Sequence, residues 1–234
     1  MSIRAGRGAM LDLTIPGDFP AEAYRALHEI VHAAERAPDV LEQFDAAWAG
    51  VAIRFAGMAR AGDQFCASLR DAGRHPGADE LFRQEEALFG LVTNGVAAIE
   101  SFGYAMFAAG AMVKPAAFPM ATPVDRRNAT LGSTMRLYSR EFPEAAITRA
   151  FFWWCNSREF GWWKEVRGLL SQRVAPHRAV DGGPAHSLTR GEWWLRAERV
   201  DLGFAAARRA WVAAALDGLL REANVFGESV LAPR

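Results

Sequence analysis

Apolar residues in this chain recur mostly every three or four positions and strict alternation is scarce, so the pattern predicts a mostly helical protein. A first helix is expected over 18–37, where Asp18 offers a cap and Pro20 fits a first turn. It should stop near Ala37, because Pro38 disfavours helical geometry in the residue before it. Leu41, Phe44, Trp48, Val51, Phe55 and Met58 mark a long second helix over about 38–72. Within it, Gly50, Gly57 and Gly62 weaken the helix or let a neighbour approach closely. The turn "AGRHPG" (72–77) precedes a third helix over about 78–112, with Leu81, Leu88, Val92, Val96, Ile99 and Met106 on one face.

The stretch "KPAAFPMATPVDRRN" (114–128) reads as a proline-rich loop. Shorter helices are expected over 130–141, 143–156 and 158–172, broken at Pro143 and near Asn156-Ser157. Residues 174–191 read as an irregular connection, 192–200 as extended chain, and 201–223 as a final helix. No repeat, low-complexity tract or domain boundary is evident. The expectation is a single all-α domain over 1–234, a helical bundle of about five to seven helices, with helices in 18–72 packing on a bundle over 78–225.

Composition narrows the function classes. A hydrophobic content of 51% with 23% charged residues is that of a folded globular chain rather than a disordered one. Lys plus Arg equals Asp plus Glu at 27 each, so no global field draws the chain to nucleic acid or an anionic membrane, and any such binding must be local. Nothing points to DNA. Cys66 and Cys155 are far apart and match no metal or redox spacing, so free thiols in a reducing compartment are expected. No stretch reaches the ~18 uninterrupted apolar residues of a membrane span. The nearest, "GVAAIESFGYAMFAAGAMV" (95–113), holds Glu100 and reads as a buried helix. The first residues lack the apolar core of a signal peptide before Pro16, so a cytoplasmic protein without membrane contact is expected.

Four sets of residues carry candidate chemistry. "LHEIVHAA" (27–34) contains H-E-x-x-H, and on a helix His28 and His32 face the same way, with Glu29 beside them as in zinc hydrolases. A catalytic zinc needs a third protein ligand, and neither "AERAPD" nor the later chain shows one by spacing. The expectation is therefore a polar helix face with no metal, and the zinc hydrolase is the competing reading. Second, Trp153-Trp154, Trp162-Trp163 and Trp193-Trp194 are paired. Adjacent helical positions point about 100° apart, so each pair should place one ring in the core and the other near a neighbouring helix, interface or apolar ligand pocket. Third, "WWKEVRGLLSQRVAPHR" (162–178) sets Lys164, Arg167, Arg173 and Arg178 against Glu165 alone. Such cations complement the carbonyls at a helix end or hold phosphates along RNA. Fourth, Glu100 lies among apolar neighbours, where an unpaired carboxylate is costly, and Arg167 is its expected partner.

A strongly apolar helix reading "LVTNGVAAIESFGYAMFAAGA" (91–111), a proline-rich loop, further helices and then "EVRGLLSQRVAPHR" (165–178) resembles the HEPN superfamily of helical bundles over residues 80–225. Active members are metal-independent ribonucleases, generally dimeric, with an R-x(4–6)-H motif. The resemblance puts Arg167 on the motif arginine, Gly168 on the polar position after it and Gln172 on the histidine, while Arg173, Pro176 and Arg178 match the tail. Glutamine cannot shuttle a proton near neutral pH, and His177 lies past the helix end. What the resemblance implies is a cofactor-free, non-catalytic homodimer that binds RNA or a partner protein, in a toxin–antitoxin or defence setting. Arg167, Gln172, Arg173 and Arg178 would line its groove, with Glu100 holding an arginine in place.

Overall fold

The computed structural model describes residues 2–5, 9–12, 14–34, 37–72, 77–172, 193–195 and 198–231. The protein is all-α, with eight helices among the described residues: α1 (Ala21–Ala33), α2 (Pro38–Ala72), α3 (Ala78–Val113), α4 (Pro123–Asn128), α5 (Leu131–Glu141), α6 (Ala146–Cys155), α7 (Arg158–Gln172) and α8 (Leu202–Val230). Two short antiparallel hairpins accompany them. β1 (Ser2–Ala5) pairs with β2 (Ala9–Asp12), and β3 (Trp193–Leu195) with β4 (Glu198–Val200). The helix count exceeds the expected five to seven because α4 forms inside the stretch read as a loop. Thr122 and Asp125 make it a helix: the Thr122 hydroxyl accepts from the Asp125 N–H, and the Asp125 carboxylate accepts from the Thr122 N–H.

The chain forms two compact units, each built from several segments. The first comprises residues 1–54, 97–157 and 213–234, the second 55–96 and 158–212, so α2, α3 and α8 each run through both. In the first unit the core is aromatic. Tyr24 stacks on Trp48 at 4.6 Å, and contacts continue through Phe102, Phe151 and Tyr138 to Phe226. The Tyr24 hydroxyl donates to the Trp48 carbonyl at 2.8 Å, and the Tyr138 hydroxyl to the Met106 carbonyl at 2.8 Å, so neither is buried unsatisfied. Gly50 of α2 allows close approach to α3, since a Cβ there would stand 3.0 Å from the Ser101 hydroxyl.

The second unit buries Phe55, Met58, Phe65, Leu88, Phe160 and Trp163. Arg208 is inserted among them, paired with Glu159 and Glu198 while its guanidinium lies 3.7 Å from the centre of the Trp162 ring. The Trp193 indole N–H donates to Gln84 Oε1 at 2.7 Å within the core. By length and composition α3 is the one helix among the described residues able to cross a membrane, and 72% of its most apolar window is buried inside the protein.

Several expectations need correction. α1 begins at Ala21, with Pro20 at the cap position itself rather than in the first turn and with no side-chain cap there. The final helix runs seven residues further than its apolar stripe suggested, with Phe226 buried against Tyr138 and Phe142 in the first unit. Trp193–Leu195 and Glu198–Val200 are extended as expected and pair antiparallel, while the paired strands Ser2–Ala5 and Ala9–Asp12 were announced by no apolar pattern.

Candidate functional site

The long loop before α4, α4 itself and α5 enclose an open groove of about 840 Å³ in the first unit. Helical spacing explains its lining. Thr134 and Tyr138 turn inward on α5, where the Thr134 hydroxyl donates to the Gly103 carbonyl at 3.0 Å. That rotation turns Ser133, Arg136, Leu137 and Arg140 outward along the groove wall. Arg127 and Asn128 come from the end of α4, and Thr130 from the junction that caps α5. The Thr130–Ser133 capping box fixes that junction, with the Thr130 N–H donating to Ser133 Oγ at 2.8 Å.

The groove is cationic. Arg127 and Arg136 are exposed and form no ion pair among the described residues, while Arg140 donates to Glu141 Oε1 at 2.7 Å. Lys114 and Arg140 both bond Glu141, which holds its carboxyl below the usual range. Asp125, the one acid lining the groove among the described residues, is engaged by the Thr122 N–H and hydroxyl, which keep it ionised and occupied at the helix cap. Arg136 and Arg140 stand at i and i+4, where like charges repel by a few tenths of a kcal/mol unless an anion lies between them. Phe152 and Trp153 of α6 are exposed in the same unit, Trp153 by 73%.

Of the residues singled out from the HEPN resemblance, Arg167 and Glu100 have described side chains. Arg167 is half-buried on α7 in the second unit, and Gln172 ends that helix, its side chain not among those described. Arg173 and Arg178 lie outside the described residues. Glu100 is half-buried in the first unit, on a separate polar groove of about 570 Å³ that it shares with Arg54, Ser101 and Tyr104. Of the paired tryptophans, Trp163 and Trp193 are buried, whereas Trp153 is exposed and Trp154 half-buried, so that pair places neither ring in the core. Trp163 covers Gly95 and Trp154 covers Gly218, Trp162 lies under Arg208, and no tryptophan lines the three grooves found among the described residues.

The H-E-x-x-H pattern gains a neighbour. His28 and His32 stack with ring centres 4.2 Å apart, and each directs Nε2 at the same oxygen, Asp45 Oδ1 on α2, at 3.3 and 2.7 Å. Burial alone would raise the Asp45 carboxyl, but hydrogen bonds and charge from the two histidines outweigh it and hold the group below its ordinary range. Glu29 is exposed and is not part of this convergence.

Family models, curated proteins and solved structures yield no match to this chain. The stretch "DRRNATLGSTMRLYSR" (125–140) sets four arginines against one aspartate, but a helix break divides them between α4 and α5, which hid the groove at the sequence level. The Arg136–Arg140 spacing, with Arg127 next to the last residue of α4, was the signal present.

Proposed function

We propose that this protein binds single-stranded RNA without cleaving it, through the groove formed by Arg127, Arg136 and Arg140. The observation that carries the reading is the convergence of these three arginines, drawn from two helices, with one acid already committed to a helix cap. Guanidinium groups hold phosphate bidentately, and the groove's amide and hydroxyl groups on Asn128, Thr130 and Ser133 suit a 2′-hydroxyl. Exposed Trp153 offers a face on which a base can stack. Among the described residues no histidine lines the groove, and arginine, asparagine, serine and threonine do not move protons near neutral pH, which supports binding rather than hydrolysis. The HEPN resemblance supports the same ligand, and it adds a homodimer working in the cytoplasm.

The test is fluorescence anisotropy of a labelled single-stranded RNA with the full chain. Arg127→Ala and Arg136→Ala should each weaken binding about tenfold, as for loss of a charged hydrogen bond, and Arg167→Ala should leave it unchanged. No binding by the wild type would sink the proposal. So would a loss confined to Arg167→Ala and Arg173→Ala.

A further inference from the structure

We propose that His28, His32 and Asp45 form a site for one divalent transition-metal ion, zinc by ligand chemistry, joining α1 to α2. The local sequence sets the positions. Leu27 and Val31 face the core from α1, and Phe44 and Trp48 face it from α2. One residue further along each helix turns to the rim, which places His28 and His32 opposite Asp45. This supplies the third ligand that spacing along the chain did not reveal.

The three ligand atoms lie within 4.8 Å of one another, and among the described residues this is the one such grouping of three metal-ligating side chains. Two imidazole nitrogens and a carboxylate oxygen are donors that zinc accepts. Ligands ~2.0–2.1 Å from a tetrahedral centre stand ~3.3–3.4 Å apart. The His28–Asp45 separation of 3.3 Å already has that value, and the 2.7 Å from His32 needs only a small side-chain rotation.

The donor set points the same way. Among the described residues Asp45 forms no ion pair with lysine or arginine, and a metal ion would satisfy together the three lone pairs that face one another here. The histidine side chains are each 32% exposed and Asp45 20%, so an ion can enter and water can take the fourth position.

The experiment uses the full chain, stripped with a chelator and titrated with zinc against a chromophoric competitor, with cobalt absorption as a second readout. One ion per chain is expected, with the intense visible bands of tetrahedral cobalt. His28→Ala, His32→Ala and the near-isosteric Asp45→Asn should each lower affinity at least about 10–100-fold, no less than loss of an outer-shell partner costs. Glu29→Gln, at an exposed carboxylate that is not part of the cluster, should retain full binding. Zinc should also raise the melting temperature of the wild type, a readout that does not depend on any variant folding. Absent uptake, uptake that survives Asp45→Asn and His32→Ala alike, or an unmoved melting temperature would overturn the site.

Discussion

Cys66 is half-buried on α2, and its thiol donates to the Leu202 carbonyl at 3.6 Å. Burial pushes this thiol up, and Asp63 and Asp201 add to the effect against the opposing pull of Arg70. Because the thiolate is the nucleophile, a raised value lowers reactivity at any pH below it. Iodoacetamide should therefore label Cys66 more slowly than a free cysteine peptide at mildly alkaline pH, with the rate climbing toward the peptide's as pH rises further. Labelling at the peptide's rate throughout would show that the thiol is not protected as the packing implies. Residue chemistry of this kind is legible in sequence only in part. His28 and His32 announce themselves by four-residue spacing, but Asp45 lies across a turn on another helix, and only the docking of α1 on α2 makes it a neighbour.

At the scale of elements, small residues decide how closely helices pack. Gly95 of α3 is buried beneath Trp163 of α7, and a Cβ there would approach within 2.7 Å of Cη2 of the indole and 3.1 Å of the Met58 sulfur. Alanine in place of glycine gains about 1 kcal/mol of helix propensity, yet overpacking a tight core costs typically ~1–3 kcal/mol. Trp163 is 1% exposed and has no room to retreat, so the clash should win. Gly95→Ala is expected to lower stability by about 1–2 kcal/mol in denaturant melts; a stabilised variant would mean that the indole can move aside. Most helices were legible for a simple reason: a buried stripe with a 3.6-residue period fixes type and extent, as in α2, where Phe44, Trp48, Val51, Phe55 and Met58 are all buried. What escaped was held by other forces. α4 depends on a capping box rather than an apolar stripe, and the strands of the two hairpins are only three or four residues long.

For the whole molecule, composition and site have to be reconciled. The chain balances 27 basic against 27 acidic residues, so attraction to a polyanion must come from one place, and the arginine groove is a place where acids are few and committed. All-α architecture was legible from periodicity. The location of the groove was not, because it depends on how the loop, α4 and α5 meet. The salt dependence of RNA affinity tests the central claim most directly. Three arginines that neutralise three phosphates on a single strand predict a log–log slope of about −2, or roughly a twentyfold loss for a fourfold rise in salt. Removing Arg127 and Arg136 together should flatten that slope to about −0.7. A slope near zero for the wild type, or one that both substitutions leave intact, would contradict the groove as the RNA site.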